Sequence, residues 1–132
     1  MSDSSAKKLV EAAAGAMKNA YAPYSKFRVG SALLTDNGSI VTGCNVENSS
    51  FGLTNCAERT ALFSAIAAGM TKFKAAAIVA DGDQKPYPCG ACRQVLAEFC
   101  PPDMPIYVAT FGSLDSFEKS SLRELLPKAF HL

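Results

Sequence analysis

The chain has 132 residues, of which 48% are apolar, and 13 Lys and Arg against 12 Asp and Glu leave a formal net charge of +1. A chain of this length hides roughly two-thirds of its unfolded surface, enough for a core without disulfide staples, so residues 1–132 are expected to form one domain. Near-neutral charge supplies no field for a phosphate backbone or an anionic bilayer, and neither a nucleic-acid nor a membrane partner is expected.

Residues 5 to 20 carry Leu9, Val10, Ala13, Ala16, Met17 and Ala20 at helical spacing, and Pro23 is expected to close that helix. Two strand-like runs, FRVGSALLT and SIVTGCNV, flank the turn signal Asp36-Asn37-Gly38 and predict a β-hairpin. Asn55 to Ala68 is rich in helix formers, with Gly69 where a helix-terminating glycine belongs. FKAAAIVA reads as a strand buried on both faces, CGACRQVLAEFC as a helix bounded by Pro88 and Pro101, and MPIYVATF as another buried strand. In the tail, Leu122, Leu125 and Leu126 predict a short helix before Pro127. The order αββαβαβ and a last helix points to a mixed sheet with helices on both faces.

No continuous apolar h-region follows the two early lysines, and no run approaches the roughly 20 apolar residues of a membrane span, so a cytoplasmic location is expected. Five cysteines, at 44, 56, 89, 92 and 100, cannot all pair as disulfides, and the one histidine, His131, excludes His-rich metal sites and histidine relays. Three of the thiols stand in a pattern: Cys56-Ala57-Glu58 opening one helix and Pro88-Cys89-Gly90-Ala91-Cys92 opening the next. Two cysteines three apart on a helix's first turn can share a metal ion, and a third thiolate from a neighbouring helix leaves one position of a tetrahedral zinc open. An open position distinguishes a catalytic zinc from a structural one, although Cys44 or Cys100 would close it as a fourth ligand. The pattern matches the zinc-deaminase signature H-x-E…P-C-x-x-C with Cys56 in place of the histidine.

With these motifs the sequence resembles the cytidine deaminase family in its short, homotetrameric, three-cysteine form. The resemblance spans nearly the whole chain: Pro23-Tyr24-Ser25 with Phe27 and Val29-Gly30, Asn45-Val46-Glu47-Asn48, Asn55 to Thr60, Pro88 to Gln94, and Leu125-Leu126-Pro127 with Phe130. It implies a three-layer α/β/α sandwich around a mixed sheet of about five strands. It also implies one Zn2+ per subunit on Cys56, Cys89 and Cys92, with Glu58 as the proton carrier. Arg59 looks like the family's arginine on a ligand thiolate, helped by backbone N–H groups at two helix N-termini, and Gln94 like a supporting residue behind the ligands.

Asn45 and Glu47, two apart on a strand, point to one face and suit a sugar hydroxyl; a polar strand end is the plainer alternative. By resemblance Phe27 stacks on the pyrimidine, Ala57 offers backbone to the base, and Phe130 enters a neighbouring subunit's site. The implied reaction is hydrolysis of cytidine and 2′-deoxycytidine to the uridine nucleosides and ammonia, in pyrimidine salvage. Alternatives are a zinc deaminase acting on a cytosine-bearing antibiotic such as blasticidin S or on a single-stranded nucleic-acid base, and a non-enzymatic module with structural zinc. Two positions depart from the family pattern: Ser31, usually small and apolar, and Tyr87, usually serine.

Overall fold

The computed structural model describes residues 1–132. In chain order it contains α1 (Asp3–Met17), β1 (Val29–Thr35), β2 (Ile40–Cys44), α2 (Ala57–Ala67), β3 (Phe73–Ala80), α3 (Gly90–Phe99), β4 (Pro105–Thr110), β5 (Glu118–Ser121) and α4 (Leu122–Leu125), with 3-10 turns at Phe51–Leu53 and Phe111–Ser116. The strands form one mixed sheet in the order β2-β1-β3-β4-β5, antiparallel except for the parallel β3/β4 pair.

Period-two alternation sorts the sheet's side chains between two cores. Ala32, Ala75, Ala77, Val79, Tyr107 and Ala109 meet α1, while Val29, Leu33, Ala76, Ile78, Ala80, Ile106 and Val108 face α2 and α3. The result is the expected α/β/α sandwich, with β3 at its centre and buried along most of its length. Two glycines set how closely the helices lie. A Cβ on Gly30 would fall 2.0 Å from the Ala13 carbonyl oxygen of α1, and one on Gly43 would fall 2.3 Å from the Ala61 nitrogen of α2. Helix α2, and with it the Cys56-Ala57-Glu58 segment, is therefore seated directly on the β1/β2 hairpin.

Two elements depart from the pattern read in the sequence. Helix α1 ends at Met17, well before Pro23, because the chain turns away to join a different partner. Tyr21 donates its N–H to the Asn45 carbonyl at 3.0 Å and accepts from the Glu47 N–H at 2.9 Å. The fifth strand, Glu118-Lys119-Ser120-Ser121, has no apolar alternation; it is a polar edge strand held by backbone pairing with β4.

Candidate active site

The sulfur side of the site is built at two helix starts. Cys56 caps α2 and Cys89 caps α3, each with extended backbone, and Cys92 lies in the first turn of α3. The start of α2 is locked locally: Asn55 Nδ2 donates to Thr60 Oγ1 at 3.0 Å, and Thr60 Oγ1 donates to the Cys56 carbonyl at 3.2 Å. Cys56 Sγ is 4.0 Å from Cys89 Sγ, which is 3.5 Å from Cys92 Sγ. All three sulfurs lie within 4.8 Å of one another, and neither Cys44 nor Cys100 joins the group. Three thiolates on a tetrahedral zinc at about 2.3 Å stand about 3.8 Å apart, so spacing and donor softness both fit that ion. Cys44 is half-buried at the end of β2, and Cys100 is packed in the core, where burial pushes its thiol up to about 12.

Charge at the sulfurs is handled by Arg59, whose Nη2 donates to Cys56 Sγ at 3.2 Å while its Nε is buried without a partner. The Cys56 thiol is held down at about 5 by hydrogen bonding from Cys92 and then by Arg59. Cys92 moves the other way, through that same bond to Cys56 and through burial. The expected backbone N–H contacts to the cap sulfurs are not made: neither Cys56 nor Cys89 caps its helix through the side chain, because the sulfurs turn toward one another. Glu58, one helical step past Ala57, is only 7% exposed. Burial, with the nearby Cys56 sulfur, pushes its carboxyl up to about 7, where a carboxylic group can both take and give a proton near neutrality.

A cavity of about 230 Å³ joins these groups to a second wall, lined by Cys56, Ala57, Glu58 and Cys89 on one side and by Phe27, Asn45 and Glu47 on the other. Val46 pairs with Tyr21 and with Asn55, so the segment 45–47 runs between two neighbours and presents both flanking polar side chains to one face. Asn45 uses one site at each end of its amide: its Oδ1 accepts from the Val29 N–H and its Nδ2 donates to the Phe27 carbonyl, both at 2.8 Å. Glu47 Oε1 accepts from the N–H groups of Tyr24 at 2.9 Å and Ser25 at 3.1 Å, and Oε2 accepts from the Ser25 hydroxyl. That hydroxyl, first among these contacts, holds the Glu47 carboxyl below its ordinary range. One Asn45 N–H, one Asn45 Oδ1 lone pair and one Glu47 Oε2 lone pair remain, so the pair offers both a donor and acceptors.

Other residues singled out in the sequence fall elsewhere. Phe130 is 66% exposed and lies outside the cavity of its own chain. Gln94 is exposed, and its amide donates to the Phe130 carbonyl at 3.3 Å rather than to a sulfur. Ser31 is buried and satisfies its hydroxyl on the Ala77 carbonyl at 3.0 Å. Tyr87 stands at the cavity mouth with its hydroxyl donating to Glu118 at 2.7 Å. Sequence reasoning missed Arg93, which donates to the Pro88 carbonyl and to the Leu125 carbonyl, both at 2.7 Å, and so ties the Cys89 loop to the C-terminal segment. The one signal was its place directly after Cys92.

A three-thiol metal cradle at two helix starts, with a buried carboxyl beside it on an α/β/α sheet, defines a zinc-dependent hydrolase. Residues 3–108 match the family described as the cytidine and deoxycytidylate deaminase zinc-binding region. The chain belongs to that family. It is 50% identical over 124 residues to a cytidine deaminase of Sporosarcina psychrophila, covering 94% of this chain and 90% of that one. A cytidine deaminase of Halalkalibacterium halodurans is 50% identical over 123 residues, covering 92% of this chain and 91% of its own. Among solved structures, cytidine deaminase from Burkholderia pseudomallei superposes with a TM-score of 0.88 at 49% identity, covering 93% of this chain and 97% of that one.

Proposed function

We propose that this chain hydrolyses cytidine and 2′-deoxycytidine to uridine and 2′-deoxyuridine with release of ammonia, as a cytoplasmic enzyme of pyrimidine salvage in which residues 1–132 act as one catalytic domain. The observation that carries this reading is the Glu58 carboxyl, buried beside a group of three mutually close thiols in a cavity that Cys56 and Cys89 line together with Asn45 and Glu47. Five free thiols suit a reducing compartment, and no helix is long and apolar enough to cross a membrane.

Cys56, Cys89 and Cys92 hold the zinc, and when bound it supplies the Lewis acidity that makes water a nucleophile at neutral pH. Three thiolates on a divalent ion leave a net negative charge that opposes this, and the Arg59 guanidinium offsets part of it. Glu58 takes one proton of the attacking water and delivers it to ring N3, then takes the second from the hydroxyl added at C4 and gives it to the amine, which departs as ammonia. Phe27 stacks on the pyrimidine, and backbone at Ala57 borders the base. The free Asn45 N–H donates to a sugar hydroxyl that in turn donates to Glu47, which selects a nucleoside over a free base.

The chain works as a homotetramer with shared sites. Phe130 is exposed and stands apart from its own cavity, while Phe51 and Leu53 are 73% and 72% exposed and Phe51 lines the hollow beside that cavity. Light scattering is expected to give four chains per particle; a fully active monomer would defeat this assembly. The substrate reading is tested by ammonia release from cytidine, deoxycytidine, cytosine, blasticidin S and a short single-stranded oligonucleotide, comparing wild type with Glu58→Ala. The two nucleosides alone should react, and only with wild type. Activity on the oligonucleotide alone overturns the substrate class, and undiminished activity in the variant overturns the role of Glu58.

A further inference from the structure

The motif Pro23-Tyr24-Ser25, singled out in the sequence, has no part in the reaction as described. Its serine nevertheless sits between two groups that do. The Phe27 N–H donates to Ser25 Oγ at 3.0 Å, which occupies a lone pair of that oxygen and leaves its O–H aimed at Glu47 Oε2. The Ser25 N–H reaches the other oxygen of the same carboxylate at 3.1 Å, so one residue grips both ends of Glu47. Lys26, between Ser25 and Phe27, has φ +60°, a left-handed conformation that side-chain-bearing residues rarely adopt unless their surroundings enforce it. Ser25 lines both the nucleoside cavity and the neighbouring hollow against Tyr24 and Phe51, so the tie stands between the two.

We propose that Ser25 is a positioning residue for nucleoside binding, acting through Glu47: it fixes the carboxylate so that one Oε2 lone pair faces the sugar, and it registers the Phe27 loop to that carboxylate. The inference rests on the proposed function. Ser25 acts through the carboxylate it holds, and its own donors, N–H and O–H, are both engaged by that carboxylate. Because Glu47 recognises substrate equally in the ground and transition states, losing its orientation weakens binding and leaves the chemical step alone.

The test is a double-mutant cycle of Ser25→Ala and Glu47→Ala, with Ser25→Thr as the variant that keeps the hydroxyl. KM and kcat for cytidine are measured alongside the Kd of the product uridine by calorimetry. Ser25→Ala is expected to raise KM and the uridine Kd on the order of tenfold with kcat within about twofold of wild type. In the Glu47→Ala background the same substitution should move KM less than about twofold, since the group it acts through is gone. Ser25→Thr should stay within about threefold of wild type, as expected of a retained hydroxyl. An unchanged uridine Kd in Ser25→Ala, an undiminished loss in the Glu47→Ala background, or a fall confined to kcat overturns the proposal. Wild type that releases no ammonia from any nucleoside defeats the proposed function first, whereas active wild type with an indifferent Ser25→Ala defeats this relay alone.

Discussion

The two walls of the cavity are built on different physics. The sulfur wall stands on helix starts seated against the sheet, and its residues are neighbours in sequence: Cys56 with Glu58 and Arg59, Cys89 with Cys92. The opposite wall is made of loop backbone, and Asn45 and Glu47 hold that loop through five hydrogen bonds to Tyr24, Ser25, Phe27 and Val29. In the proposed reaction, chemistry falls to short-range geometry on rigid elements and recognition to side chains that also do structural work. Substitutions on the first wall should cost activity with the fold intact; substitutions on the second should cost both.

The sharpest way to break the sulfur wall without unfolding it is Glu58→Gln. Turnover of cytidine should fall by about 10²–10⁴-fold with zinc content unchanged, read by ammonia release beside metal analysis. Next comes Arg59→Ala, which strips the donor from Cys56 Sγ and should weaken zinc retention by about 10–100-fold in competition with a chelator, as outer partners of metal ligands usually do. Asn45→Ala tests the opposite wall. It leaves the buried Val29 N–H and the Phe27 carbonyl without their partner and should lower unfolding stability by about 1–3 kcal/mol while raising KM, measured by denaturant titration and steady-state kinetics. If Asn45→Ala raises KM with stability untouched, the two walls do not differ as described. The smallest effect is expected from Tyr87→Phe, which removes one exposed hydrogen bond to Glu118 and should change stability by less than about 0.5 kcal/mol.

This contrast also explains what could be read in the sequence. β3 reads as FKAAAIVA because burial on both faces leaves a continuous apolar run, and the structure places the strand over those same residues, Phe73–Ala80. The cysteine group was legible for a similar reason, since helix starts bring residues two or three apart onto one side. Glu47 with Tyr24 and Ser25, or Asn45 with Phe27, are pairs separated by about twenty residues, and no local pattern records them. The early end of α1 is a tertiary effect of the same kind: Tyr21 leaves the helical path to pair with Asn45 and Glu47. β5 escaped because an edge strand needs only one partner's backbone and carries no apolar signal in Glu118 to Ser121. Arg93 escaped because its two carbonyl partners lie on either side of it, one of them on the far C-terminal segment.

One zinc held by three sulfurs, with one position left to a non-sulfur ligand, has a direct signature in X-ray absorption at the zinc edge of the purified protein. Three sulfur scatterers at about 2.3 Å and one oxygen or nitrogen scatterer are expected. Four sulfurs around the ion, or no sulfur at all, would contradict this coordination.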